Sequence, residues 1–410
     1  MNKKLIRITT VPMSLQYLIK GQPRFMNDFF EILCVSSGPK NELDKVAGYE
    51  GVKVKQVEMT RQITPVKDLI SLIKLIRLFK KEKPAIVHTH TPKAGILGML
   101  GSYLAGVPIR LHTVAGMPLM ESKGVKHCIL EAVEKLTYAC AIKVYPNSTG
   151  LEQFILQHKY AYAEKIKVIT NGSSNGIDTI YFDPNQFSKE HKQVLRHDLG
   201  IQEDDFVLIF VGRLVGDKGI NELVKAFKSL SHGERHWERP DLRLLLVGPF
   251  ESKLDPLESD TLKEIESNRN IITTGFQADV RPYFAISNAL AFPSYREGFP
   301  NVVMQAGAMG LPSIVTDING CNEIIENNKN GLIIPVKNKE ALQRALLRLA
   351  EDKKLYYHLQ SQSRKMITSR YEQKLVWEAL LEEYKFFLKD KGMDIETDTD
   401  LGLDPKISSG

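Results

Sequence analysis

Short apolar segments alternate with amphipathic ones along nearly the whole chain, and this alternation restricts the fold more than any other feature. LIRITTV (5–11), FEILCVSS (30–37), AIVHTH (85–90), IRLHTV (109–114), AIKVYPNS (141–148) and KIKVIT (165–170) read as strands. PVKDLISLIKLIRLFKKE (65–82) and VKHCILEAVEKLTYAC (125–140) read as helices between them. The turn-rich stretch SSNGIDTIYFDPNQ (173–186) breaks the rhythm. A second series follows: DFVLIFVG (205–212), LRLLLVG (242–248), IITTG (271–275), ALAFPS (289–294), PSIVT (312–316) and GLIIPV (331–336). Short apolar strands alternating with amphipathic helices predict parallel sheets covered on both faces. The fold class is therefore α/β, with two doubly wound Rossmann-like halves, 1–180 and 181–370. A helix over 371–390 follows, and the polar, acidic stretch 391–410 is expected to be a disordered tail. Ligands of such sheets bind at the strand carboxyl ends, so two facing halves would frame a deep cleft.

Composition narrows the function classes. With 43% hydrophobic and 25% charged residues, the 410-residue chain reads as an ordinary globular protein. No segment approaches the roughly 18–20 apolar residues of a membrane span, and Arg7 and Pro12 interrupt any signal-peptide core. Cys34, Cys128, Cys140 and Cys321 are scattered, which favours reduced thiols and a cytoplasmic location. The formal charge of +6 is too mild for a nucleic-acid binder. It fits phosphorylated substrates or contact with an anionic membrane face.

Two motifs of the second half carry chemistry. In VGRLVGDKGINELVKAF (211–227) a strand ends at Gly212, and a turn offers Arg213 and Lys218 before a helix opens. Two cations beside a helix amino terminus suit a diphosphate; solvated loop charges are the alternative. The spacing is neither a Walker loop nor a dinucleotide fingerprint. In SYREGFPNVVMQAGAMGLP (294–312), Glu297 stands between a strand end and a helix start. Its carboxylate can accept hydrogen bonds from two neighbouring sugar hydroxyls, with the backbone N–H groups of Gly298, Phe299 and Asn301 facing the ligand. A helix-start acid favoured by the macrodipole is the plainer reading.

Together, VGRLVGDKG, TGFQADVRPYFAISNALAFPS and PSYREGFPNVVMQAGAMGLPSIVTD resemble the carboxyl-terminal half of the retaining glycosyltransferases of family four, which have the two-domain GT-B fold. The resemblance is specific from about 205 to 335. It is looser in the amino half, where HTHTPKAGILG (88–98) and VPIRLHTVAG (107–116) look like the branch that extends capsule, O-antigen or other lipid-linked glycans in bacteria. It implies that Arg213 and Lys218 bind the nucleotide diphosphate and Glu297 holds the donor sugar, with Gly212, Phe276, Gly298, Phe299 and Asn301 on the donor side. It also implies that the last helix crosses back to the amino-terminal domain.

Two positions depart from the pattern. Where relatives commonly carry a second Glu for the ribose hydroxyls, Gln305 keeps an acceptor and two donor hydrogens but loses charge assistance, on the order of 1 kcal/mol. Ala115 stands where relatives often have histidine, and His112, three residues earlier, is open between core and site.

By the same resemblance the amino half is acceptor territory. Lys20 and Gly21, in the loop after the first strand, border the acceptor. His88 and His90 point to one side of their strand, with one expected to face the cleft. Lys93 follows at a loop-to-helix junction as a second anion site. Helix 65–82 has a basic edge; either it rests on an anionic membrane, at the inner face of the cell membrane, or it simply packs on the sheet.

The expected activity is retaining, metal-independent transfer of a sugar, an N-acetylhexosamine by branch, from a UDP-sugar to a polyprenyl-diphosphate-linked glycan. No cofactor beyond the UDP-sugar co-substrate is expected. The rival enzyme is a UDP-N-acetylglucosamine 2-epimerase; the rival of another class is a catalytically silent sugar-nucleotide binding protein.

Overall fold

The computed structural model describes residues 3–231, 241–251 and 255–393. Of the expected tail, 394–410 lies outside these residues. The chain forms two compact units. The first holds Met1–Pro146, Phe154–Ile169 and the chain from Val376 on; the second holds Asn147–Gln153 and Thr170–Leu375.

The first unit is built on β1 (Lys4–Ile8), β2 (Glu31–Ser36), β3 (Lys53–Gln56), β4 (Ile86–His90), β5 (Ile109–Val114) and β6 (Lys143–Pro146), ordered β3-β2-β1-β4-β5-β6. The second is built on β7 (Phe206–Val211), β8 (Leu242–Val247), β9 (Ile271–Gly275), β10 (Ala289–Phe292), β11 (Ser313–Thr316) and β12 (Gly331–Ile334), ordered β12-β11-β10-β7-β8-β9. All these pairings are parallel. β7, FVLIFV, is buried along almost its whole length because helices cover both faces of its sheet. In each sheet the chain reverses direction of travel at the centre, between β1 and β4 and between β7 and β10. A crevice opens at such a switch point, at the carboxyl ends of the strands.

One strand of the first sheet differs from the expected set. KIKVIT is not a strand: Ile166 makes an isolated bridge to Val144, and the Lys165 amine instead binds the carbonyls of Tyr138, Ala139 and Ala141 at 2.8–3.0 Å. The sixth strand is β3, KVKQ, an edge whose exposed lysines hide it from an apolar search. The final helix also begins later than expected. Helix Lys353–Tyr371 ends where Glu372 turns extended and bridges to Ile177, and a second helix, Gln373–Asp390, then starts. Val376, Leu380, Leu381, Tyr384 and Leu388 of that helix pack with Leu15, Ile19, Ile32 and Ile109 in the first unit's core.

Helix Pro65–Glu82 buries Leu75, Leu78 and Phe79, with Phe79 against Gly101 of helix Pro92–Leu104. Its opposite side leaves Val66 74% and Leu69 57% exposed, with Ile70 and Ile73 beside them.

Candidate active site

The second unit brings its two motifs together at the switch point. β7 leads to Gly212 and Arg213, then to the turn Gly216–Lys218 and helix Ile220–Ser231. β10 leads to Ser294 and Glu297, then to helix Asn301–Ala308. Gly219 lets the two turns meet: its φ is +71°, and a Cβ there would run into the Pro293 carbonyl.

That approach puts Lys218 Nζ 2.5 Å from Glu297 Oε1, with both side chains only 16–17% exposed. Ser294 Oγ donates to the same Oε1 at 2.9 Å, and the Lys218 amine lies 6.0 Å from the centre of the Phe292 ring. Arg213 is more open, about half exposed, and pairs with Glu251 at 2.6 Å. A shell of fixed charges backs the turn. Arg296 holds Asp217 at 2.9 Å, the Asp217 N–H reaches Asp255 at 2.6 Å, and the Tyr295 hydroxyl donates to Glu222 at 2.6 Å. Burial, reinforced by Glu222, pushes the Tyr295 phenol up, so it stays protonated as that donor.

Gly298 and Gln305 are half-buried, Phe299 is buried and Asn301 is exposed. Gln305 sits in helix Asn301–Ala308, one turn beyond its start. Phe276 follows β9 and is 72% exposed. A further residue joins these, Asn319, whose Nδ2 donates to the Gly298 carbonyl at 2.6 Å and whose Oδ1 accepts from Ser148 at 2.9 Å. No motif marks it, because its partners are a main-chain carbonyl and a serine far away in sequence.

The acceptor-side candidates lie in the first unit. Lys20 is exposed, its amine 5.2 Å from the Tyr49 ring centre. The Gly21 N–H donates to Glu50 at 2.8 Å, and the Trp377 ring packs on the same glycine. Lys93 pairs with Asp68 at 2.5 Å. His112 is buried on Gly95 of helix Pro92–Leu104, its Nδ1 2.8 Å from Thr89 Oγ1.

His88 and His90 do share one side of β4, their rings stacked with centroids 4.3 Å apart. Both lie in a buried cluster. His88 Nδ1 is 2.6 Å from the Tyr384 hydroxyl, and its Nε2 is 2.8 Å from Thr113 Oγ1. Arg7, fully buried on β1, reaches His90 Nε2 from Nε at 3.1 Å and from Nη2 at 2.8 Å, and also binds Gln22. Guanidinium has no acceptor, so His90 Nε2 must accept and its proton must sit on Nδ1. Burial holds both histidines well below their ordinary pKa, with the charge of Arg7 acting in the same direction. His112 is pushed down to about 4 by burial. Among the described residues no group of three or more His, Cys, Asp or Glu is placed to hold a metal ion.

The family model described as glycosyl transferases group 1 matches residues 191–366, and that of a glycosyl transferase 4-like domain matches 28–172. The chain is 32% identical over 392 residues to the capsular polysaccharide biosynthesis glycosyltransferase CapM of Staphylococcus aureus, covering 95% of this chain and 98% of the relative. It belongs to the group 1 glycosyl transferases. This glycosyltransferase is also 31% identical to an Escherichia coli UDP-Gal:alpha-D-GlcNAc-diphosphoundecaprenol alpha-1,3-galactosyltransferase, with 80% of this chain and 82% of that one aligned. Among solved structures, Anabaena Alr3699/HepE in complex with UDP and glucose superposes with a TM-score of 0.74 at 19% identity, covering 93% of this chain and 99% of that one. The fold of this glycosyltransferase is GT-B, with its two parallel six-stranded sheets.

Proposed function

We propose that this glycosyltransferase moves a sugar, an N-acetylhexosamine, from a UDP-sugar to a hydroxyl of a polyprenyl-diphosphate-linked glycan, with retention and without a metal, in the synthesis of a bacterial surface polysaccharide. The observation that carries this reading is the meeting of Lys218 and Glu297 at the switch point, a cation and a carboxylate beside main-chain N–H groups. Support for the acceptor class comes from the names of the two relatives at 31–32% identity.

In this reading Arg213 and Lys218 bind the diphosphate. As the bond from sugar to phosphate breaks, negative charge grows on the leaving oxygen, and the two cations stabilise it in place. Glu297 accepts hydrogen bonds from the sugar hydroxyls and fixes the ring for attack on one face. The departing phosphate takes the proton of the acceptor hydroxyl. Helix Pro65–Glu82 rests on an anionic membrane. Val66, Leu69, Ile70 and Ile73 support this, being exposed on a helix that also carries exposed Lys67, Lys74, Arg77, Lys80 and Lys81. Among the described residues no helix is long and apolar enough to cross a membrane.

The test uses purified protein, labelled UDP-N-acetylhexosamines and UDP-galactose, a lipid extract from the source cell, and excess EDTA. Label entering the lipid phase, with the anomeric configuration of the donor preserved in the product, is the expected result. Label that stays aqueous while the UDP-sugar epimerises would establish an epimerase instead.

A further inference from the structure

We infer that Asn319 is a positioning residue of the donor site: it turns the main chain at Glu297–Phe299 so that two N–H groups and the Glu297 carboxylate face the transferred sugar. This rests on the reading of Glu297 as the sugar-holding acid.

The carboxamide of Asn319 has a single satisfied orientation. Ser148 Oγ accepts the Leu151 N–H at 3.1 Å, so its own hydrogen is free to go to Asn319 Oδ1 at 2.9 Å. Asn319 Nδ2 then faces two carbonyls, which only accept: Gly298 at 2.6 Å and, more weakly, Glu297 at 3.4 Å. In a planar trans peptide the N–H points opposite to the C=O. Pulling the carbonyls of Glu297 and Gly298 toward Asn319 therefore aims the N–H groups of Gly298 and Phe299 the other way. Neither N–H has an acceptor among the described residues. Two successive N–H groups aimed alike form a concavity suited to an electron-rich oxygen.

The surroundings hold Asn319 in place. Gly320, at φ +75°, sits against the Gly298 carbonyl and the Phe299 Cα, where a Cβ would push the two turns apart. The Ser148 end is held separately, because Glu323 accepts the N–H groups of Thr149 and Gly150 at 2.8 and 3.1 Å. On the far side, the Phe299 ring packs on Tyr371 with centroids 5.5 Å apart.

Asn319→Asp tests the inference. Aspartate keeps the shape and the acceptor for Ser148, but sets a carboxylate oxygen against the Gly298 carbonyl. The expected result is a fall of about tenfold in kcat/KM for the UDP-sugar, with Kd for UDP alone within about twofold of the parent. Ser148→Ala, which removes the hydrogen bond anchoring the carboxamide oxygen, should give a smaller fall of the same kind. In a Glu297→Gln background the effect of Asn319→Asp should shrink, because the two residues act as one unit. UDP affinity falling in parallel with turnover would show a merely structural role and overturn the inference, as would an undiminished loss in the Glu297→Gln background. If Glu297→Gln alone transfers sugar normally, the sugar-holding role fails, and the inference that rests on it fails with it; if Glu297→Gln lowers transfer but the Asn319→Asp loss is undiminished, the inference alone fails.

Discussion

Lys218 Nζ lies 2.5 Å from Glu297 Oε1, so two residues expected to serve different parts of the donor neutralise each other in the folded chain. In the proposed function a diphosphate would compete with Glu297 for that amine. Replacing Glu297 with Gln should therefore leave UDP binding as tight as in the parent, or tighter, while lowering transfer by about 10²–10³-fold. Calorimetric titration with UDP, set beside turnover, checks both halves. A collapse of UDP affinity would refute the sugar-holding assignment.

Gln305 sits one turn into helix Asn301–Ala308, half-buried. Gln305→Glu would restore charge assistance to a ribose diol, a contact worth on the order of 1 kcal/mol. UDP should bind several-fold more tightly to that variant. No change, or weaker binding, would mean that the side chain does not reach the nucleotide.

Gly219→Ala should be among the most damaging conservative changes in the second unit. The methyl would meet the Pro293 carbonyl at a backbone φ of +71°, and both effects act on the turn that carries Lys218. A stability loss of about 2–4 kcal/mol, with loss of UDP binding, is expected from thermal unfolding and titration.

The three buried histidines predict a pH dependence of definite sign. His88, His90 and His112 have pKa values below their ordinary 6.5, His112 at about 4. Above about pH 6.5 the folded and unfolded forms are both neutral, and these groups do not affect stability. Below it the unfolded chain takes up protons that the folded chain refuses. Stability then falls by about 1.4 kcal/mol per pH unit for each histidine until the folded pKa is reached. Urea unfolding of the first unit at pH 7.5 and pH 5 should differ by several kcal/mol, and His112→Gln should flatten the slope by about a third. A flat profile would mean that the histidines are charged inside the fold.

Thiol reactivity gives an independent check of packing. Cys34, Cys140 and Cys321 are buried and Cys128 is exposed. Burial pushes the Cys34 thiol up to about 12 and raises Cys140 and Cys321 as well. Iodoacetamide at pH 8 should modify Cys128 first in the native protein, with the other three protected until unfolding. Equal labelling of all four would contradict the packing of both sheets.

Much of this architecture was legible because parallel strands covered on both faces are mostly apolar, as FVLIFV is throughout and LRLLLV is but for Arg243. Edge strand KVKQ was not, because its lysines face water. The geometry of the candidate site was legible in part. Arg213, Lys218 and Glu297 stand in recognisable turns, but the contact between Lys218 and Glu297 depends on how closely Gly219 approaches Pro293. Sequence spacing carries no trace of that approach. The burial of His90 was hidden for a similar reason. Its partner Arg7 is 83 positions away, and helix Gln373–Asp390, which supplies Tyr384 to His88, comes from the far end of the chain.

That last helix also sets an order of events during synthesis. The first unit's core needs Val376, Leu380, Leu381, Tyr384 and Leu388 beside strands made more than two hundred residues earlier. The second unit is complete once Leu375 has been made. On the ribosome the later-encoded unit can therefore finish first, while the earlier one waits with an apolar face uncovered. Truncation before Val376 would then leave a protein with an intact second unit and an aggregation-prone first one, and a fragment of the first half alone would not be a usable domain.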